Sequence, residues 1–309
     1  MNMTKQLIFG HKNPDTDSIC SALAYQSLKK QLGENVEAVR LGSLNKETEY
    51  VLREANVQAP RLIEKVEDSI KEVILVDHNE FQQSVDNIRD VKITEVIDHH
   101  RIANFETNDP LFVRVEPVGC TATILTKMFR ENDITISEQD ARLLLSAIIS
   151  DTLLFKSPTC TPEDEKIARE LADIAKVDIE EYGLAMLKAG TDLSDKLVSE
   201  LLAMDAKEFT MGDAKVEIAQ INAVDIAEIY TQQEELEAEI NKVIEERNLD
   251  LFLLVVTDII NSNSEVLALG NRSKHVETAF EVELLANRAL LEGVVSRKKQ
   301  IVTKLGDTF

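Results

Sequence analysis

Ile93-Thr94-Glu95-Val96-Ile97-Asp98-His99-His100 decides how the rest of the chain is read. Its apolar positions run up to Ile97 and give way at once to one carboxylate and two imidazoles. Earlier in the chain, Val73-Ile74-Leu75-Val76-Asp77-His78-Asn79 does the same. A short apolar run ended by polar, turn-forming residues reads as a strand covered on both faces, the kind found in parallel sheets. Open sheets of that type bind ligands just beyond the carboxyl ends of their strands. Both stretches therefore place titratable groups where such a fold does its chemistry.

Working outward, residues 7–9 read as a first strand, followed by His11, Asp15 and Asp17. Residues 19–32 read as a helix stopped by Gly33, 36–41 as a strand and 46–55 as a helix. Ser137-Glu138-Gln139-Asp140 has the spacing of a helix-capping box, and the apolar helix behind it runs into Ser150-Asp151-Thr152. Thr161-Pro162 opens another helix, with the hydroxyl as cap and proline at the first helical position. Turn chemistry at 189–194 marks a hinge. Beyond it, strands are expected at 216–221, 251–256 and 266–269, with helices at 226–247 and 276–285. This alternation predicts an α/β protein of two domains. The larger, residues 1–188, carries a mainly parallel sheet flanked by helices; the smaller, 195–309, carries a mixed sheet. Two domains also suit 309 residues.

With 56 Asp+Glu against 34 Lys+Arg the formal charge is −22, which repels phosphate backbones over most of the surface and argues against a general nucleic-acid binder. There is no Trp, and aromatic residues make up 5%, so stacking platforms for bases are scarce. Cys20, Cys120 and Cys160 lie far apart and form no C-x-x-C pair, which indicates neither a zinc cage nor a disulfide framework and suits a reducing cytoplasm. The start lacks a signal-peptide core, and no stretch approaches the ~20 apolar residues of a spanning helix, so no membrane is expected.

Four of the five histidines, His11, His78, His99 and His100, fall at the strand ends. Singly, an Asp at a strand end is more often a turn former, and His99-His100 is equally a structural pair or a metal pair. Together the groups favour metal. Oxygen and imidazole ligands without thiolate suit Mn²⁺, Co²⁺ or Fe²⁺ better than Mg²⁺, and six or seven of them are enough for two ions. Two ions roughly 3.5–4 Å apart acidify a bridging water for in-line attack on phosphorus. Charge on the phosphoryl oxygens then needs cations. The one dense basic run is Ser296-Arg297-Lys298-Lys299-Gln300, which alone would read as a solvated surface stretch but here reads as an anion clamp. Gly119-Cys120-Thr121 opens a helix whose N–H groups could bind an anion, with a simple cap as the plainer reading.

His11-x-x-x-Asp15-x-Asp17, Asp77-His78-Asn79, Asp98-His99-His100 and Ser150-Asp151-Thr152 resemble the motifs of the DHH phosphoesterase superfamily. With Ser296–Gln300 the chain resembles, from first strand to last motif, the family II inorganic pyrophosphatases. The resemblance implies an active site in the cleft between an N-terminal DHH domain and a DHHA2-like C-terminal domain. It implies two Mn²⁺ (or Co²⁺) per subunit, the first on His11, Asp15 and Asp77, the second on Asp17, Asp77, His99 and Asp151. Further Mg²⁺ would arrive with the pyrophosphate. It makes His100 the substrate contact and general acid, Arg297, Lys298 and Lys207 the phosphate-binding cations, and the protein a homodimer. Asp98 is expected to orient a histidine, and His78 to alternate away from Asp77 on extended backbone. An exopolyphosphatase of the same superfamily is the alternative. A DHH nuclease or cyclic-dinucleotide phosphodiesterase would carry a glycine-rich motif, and no Gly-Gly pair occurs. A non-catalytic metal- or phosphate-binding regulator would bind Mn²⁺ without releasing phosphate.

Overall fold

The computed structural model describes residues 5–193 and 196–309, so Ser194 of the expected hinge lies outside the described residues. The chain divides after Gly190 into two compact units. The first alternates strands and helices: β1 (Gln6–Phe9), α1 (Thr16–Gln31), β2 (Val36–Arg40), α2 (Lys46–Glu54), β3 (Arg61–Leu62), β4 (Glu72–Val76), β5 (Lys92–Asp98) and β6 (Phe112–Val115). Four helices complete it: α3 (Thr121–Glu131), α4 (Glu138–Thr152), α5 (Pro162–Ala175) and α6 (Ile179–Gly190).

The six strands are all parallel, in the order β3-β2-β1-β4-β5-β6. The chain moves outward from β1 in one direction through β2 and β3, then returns and moves outward through β4 to β6. The reversal lies between β1 and β4, the point at which an open parallel sheet forms a crevice at its carboxyl edge. Leu7, Ile8 and Phe9 of β1 and Val73 to Val76 of β4 are fully buried, as both-face coverage requires. One face closes over Leu7, Phe9, Val39, Val73, Leu75 and Val96.

Helix starts are set by caps. Asp15 accepts from the Ser18 N–H and opens α1 three residues before the apolar period begins. Thr161 and Asp164 form a reciprocal capping box on α5, with Pro162 at its first position. At the other end of α4 the chain turns left-handed at Leu153, Leu154 and Phe155, so the helix stops just after Asp151. Helix α6 continues through Gly190, so the turn expected from residue 189 starts only at Thr191.

The second unit contains α7 (Val198–Ala203), β7 (Lys207–Met211), β8 (Ala214–Ala223), α8 (Ile226–Ile229), α9 (Gln233–Arg247), β9 (Leu251–Asp258), β10 (Asn263–Leu269), α10 (Lys274–Phe280), β11 (Arg288–Leu291) and α11 (Thr303–Gly306). Its sheet runs β11-β10-β9-β8-β7, with β8 and β9 parallel and the other pairs antiparallel. Alternate residues of β9 serve two cores: Leu251, Leu253 and Val255 face one, Phe252, Leu254 and Val256 the other. The long helix expected at 226–247 is two helices. They are separated by a tight turn at Tyr230, whose buried ring sends its hydroxyl to the Glu265 carbonyl. Lys207 opens strand β7, and Arg297 opens a wide helical turn, Arg297–Val302, capped by Ser296.

Candidate metal centre

Five elements of the first unit deliver the polar groups. His11 follows β1, Asp15 and Asp17 sit at the amino end of α1, Asp77 follows β4, Asp98 ends β5 with His99 and His100 behind it, and Asp151 lies in the last turn of α4. Asp77 adopts φ 57°, in the left-handed region that Asp tolerates better than most residues, while its N–H still donates to the Ile97 carbonyl. The extended backbone expected there is therefore replaced by a sharp turn. His78 is buried behind Asp77 because of that turn, its Nδ1 bonded to the Val76 carbonyl and its ring 6.3 Å from that of Phe9.

The turn aims the Asp77 carboxylate both ways. Its Oδ2 lies 3.4 Å from His11 Nε2, and its Oδ1 lies 3.4 Å from His99 Nε2. His11 Nε2 is also 3.5 Å from Asp15, and His99 Nε2 is 3.5 Å from Asp151 and 4.0 Å from Asp17. These contacts are too long for good hydrogen bonds. Asp77 Oδ2 and His99 Nε2 are accordingly buried atoms with no hydrogen-bond partner. Such atoms carry a desolvation cost unless something else coordinates them. Donor atoms on neighbouring corners around an ion ~2.1 Å away stand roughly 3 Å apart, close to the separations here. Two sets converge in this way, His11 with Asp15 and Asp77, and Asp17 with Asp77, His99 and Asp151; His100 also approaches Asp77 and His99. Carboxylates and neutral imidazoles without thiolate suit a hard to intermediate divalent ion such as Mn²⁺.

Electrostatics express the same convergence. Burial opposes the charge of Asp77, but His11 and His99 outweigh it and hold the carboxyl well below the usual carboxylate range. Burial likewise opposes protonation of His11 and His99, yet the surrounding carboxylates push them up to about 10 and about 9. Burial, followed by the charge of Asp77, raises Asp17 to about 7; burial and the charges of Asp17 and Asp77 push Asp151 up as well. Protons are held here by mutual repulsion of carboxylates, and a dication relieves that repulsion by taking their place.

A further layer of contacts aims the donors. Asp17 Oδ1 accepts from the Ser21 hydroxyl at 2.6 Å and Oδ2 from the Thr121 N–H at 2.8 Å. The anion at the start of α3 is thus an internal carboxylate. The Thr121 hydroxyl donates to Asp77 Oδ1 at 3.2 Å, and His99 Nδ1 meets the Val118 carbonyl at 3.1 Å, which leaves Nε2 pointing inward. Asp164 locks this loop by accepting from Gly119 N–H and the Thr123 hydroxyl. The Thr121 N–H is legible as an anion donor at a helix start, but its partner 104 residues away is not; Val118 and Asp164 escape a reading by motif because their partners are likewise set by tertiary packing. Asp98 is fully buried and accepts from Asn79, from the N–H groups of His99 and His100, and from His100 Nδ1 at 2.9 Å. That last bond raises the His100 pKa, and the ring is half-exposed.

Lys207, Arg297 and Lys298 belong to the second unit. Arg297 is buried, its guanidinium donating to the Asp205 carbonyl and, at 2.7 Å, to the Asp205 carboxylate. A third bond, 3.4 Å long, reaches the carbonyl of Ile218, the residue that pairs with Lys207 across the β7–β8 ladder. Lys207 and Arg297 therefore share one neighbourhood, while Lys298 is exposed.

Comparison with known proteins finds relatives over nearly the whole chain. Residues 5–148 match the DHH family N-terminal domain and residues 184–308 the DHHA2 domain. A protein of Oceanobacillus iheyensis described as a probable manganese-dependent inorganic pyrophosphatase is 64% identical, over 99% of this chain and 100% of its own. The manganese-dependent inorganic pyrophosphatase of Bacillus subtilis is 62% identical over 99% of both. A solved structure from Methanococcus jannaschii, described as a family II inorganic pyrophosphatase, is 39% identical and superposes with a TM-score of 0.62, covering 98% of this chain and 99% of that one.

Proposed function

The chain belongs to the family II, manganese-dependent inorganic pyrophosphatases, and from that membership we propose that it hydrolyses pyrophosphate to two phosphates. The observation that carries the reading is Asp77, whose two oxygens each face a different histidine at 3.4 Å. In this proposal His11, Asp15 and Asp77 would hold one Mn²⁺, and Asp17, Asp77, His99 and Asp151 would hold a second, with Asp77 common to both sets. When bound, such a pair acidifies water and offsets phosphate charge. His100 hands a proton from Nε2 to the departing phosphate, with Asp98 holding its other nitrogen. Lys207, Arg297 and Lys298 take up the phosphate oxygens, Arg with a planar fork and Lys as point charges. Mg²⁺ would arrive with the substrate.

In this proposal the first unit carries the metal-binding residues and the second the basic residues, and the chain passes from one to the other after Gly190. A homodimer is part of the proposal, supported by the edge strand β6 with Phe112 and Val113 exposed. A cytoplasmic setting is supported by three unpaired cysteines; no helix among the described residues is long and apolar enough to cross a membrane. The test is phosphate release from pyrophosphate after chelation and readdition of Mn²⁺, Co²⁺, Zn²⁺ or Mg²⁺, run beside tripolyphosphate and longer chains. Restoration by Mn²⁺ with pyrophosphate preferred is expected. Preference for the long chain would make the protein an exopolyphosphatase, and Mn²⁺ binding without phosphate release would make it a regulator.

A further inference from the structure

Glu47, in the first turn of α2, belongs to neither ligand set, yet it joins the two helices that carry three of the ligands. Its Oε1 accepts from the Thr16 hydroxyl at 2.6 Å and from the Ser150 hydroxyl. Thr16 stands between Asp15 and Asp17, and Ser150 immediately precedes Asp151. The only proton of the Thr16 hydroxyl is committed to Glu47, so Thr48, 3.1 Å away, must donate to Thr16 in turn. Thr16 and Thr48 are both fully buried. Among such groups a broken chain of hydrogen bonds leaves unpaired polar atoms, which makes the arrangement stiff.

A second observation meets the first from the opposite side. Gly190, the last residue of α6, packs on the same side chain. A Cβ at that position would lie 2.9 Å from Glu47 Cβ and 3.1 Å from Oε2. Its φ lies outside the left-handed region, so only close approach calls for glycine there.

We propose that Glu47 is a positioning residue for the second metal ion: a strut from Thr16 to Ser150 that sets the separation of Asp17 and Asp151, with Gly190 leaving room for it. The inference rests on the two-metal reading. Asp15 is held independently, because its carboxylate caps its own helix through Ser18. Loss of the strut therefore falls on the second set, Asp17, Asp77, His99 and Asp151, more than on the first.

The test is a Mn²⁺ titration of the full metal-free chain, followed by calorimetry and electron paramagnetic resonance. Wild type should take up two ions and develop a spin-coupled spectrum. Glu47→Ala should keep the first ion and weaken the second by roughly 10–100-fold, giving an uncoupled spectrum at Mn²⁺ levels that saturate wild type. Glu47→Gln keeps an oxygen acceptor and should restore affinity to within about threefold of wild type. Gly190→Ala should weaken the second ion in the same sense, and should add little to Glu47→Ala, as coupled residues do. Thermal unfolding of the metal-free variants checks that they fold; if Glu47→Ala does not, Glu47→Gln and Gly190→Ala decide. A second ion bound by Glu47→Ala as by wild type overturns the inference, as does Glu47→Gln behaving like Glu47→Ala, since charge and not the strut would then be responsible. If wild type itself binds fewer than two ions, the two-metal reading falls first, and the strut with it.

Discussion

In the first unit, four carboxylates and two imidazoles converge until buried donor atoms stand 3.4–4.0 Å apart, whereas in the second Lys207 and Lys298 stand in solvent and only Arg297 is buried, with Asp205 beside its charge. Anionic groups are gathered against their own repulsion in one place, and cationic groups are dispersed or neutralised in the other. Gathering like charges in a buried site is unfavourable without a counter-ion, so the first arrangement favours uptake of a divalent cation. A dispersed set of cations needs no such partner to be stable. Removing a residue from the first unit should consequently abolish binding of an ion, and removing one from the second should only weaken the grip on an anion.

The largest effect is expected at Asp77, the residue shared by both sets. Asp77→Asn removes a charge from each ion and adds a donor that points at cations. Phosphate release should drop to the level of chelated wild type, and Mn²⁺ uptake should fall by at least one ion. Retention of two ions by this variant would break the contrast between the units. A smaller effect is expected at Arg297. Arg297→Lys keeps the charge but can no longer offer a phosphate a planar fork, and it also gives up the bonds to Asp205 and Ile218. A charge-assisted hydrogen bond lost costs about 1.5–3 kcal/mol, or roughly 10–100-fold in kcat/KM. The loss should appear mainly in KM, with both Mn²⁺ affinities unchanged. An altered Mn²⁺ titration would show that the second unit is not merely a phosphate grip.

The same contrast governs what the sequence could reveal. Candidate ligands at the ends of β1, β4 and β5 were legible because a buried parallel strand is a run of apolar residues, and the polar groups just after it stand at the carboxyl edge. His11, Asp77 and His99 are of this kind. The turn at Asp77 was not legible, since a left-handed Asp leaves no periodic trace, and with it went the burial of His78. Strand β6 escaped because Phe112-Val113-Arg114-Val115 is a short edge strand, partly exposed. The break at Tyr230 escaped because a 3.6-residue apolar period continues across it. Asp164, Glu47 and Asp205 were illegible for a single reason. Each acts through a hydrogen bond whose partner is chosen by tertiary packing, not by spacing along the chain.

The smallest expected effect concerns the pH at which the reaction fails, and it sharpens the comparison by isolating one charge within the first unit. Burial opposes the charge on Asp98, but bonds from His100 and Asn79 hold its carboxyl below the usual carboxylate range, and Asp98 in turn raises His100. A general acid works while protonated, so activity should fall as pH rises through the pKa of His100. Asp98→Asn removes the charge that favours the imidazolium and lowers that pKa. The alkaline limb of the kcat profile should therefore move to lower pH. Bound dications also depress His100, but they do so in wild type and variant alike, so the direction of the difference survives them. An alkaline limb unmoved in Asp98→Asn would mean that the titrating acid is not His100, and that the proton reaches the leaving phosphate from solvent.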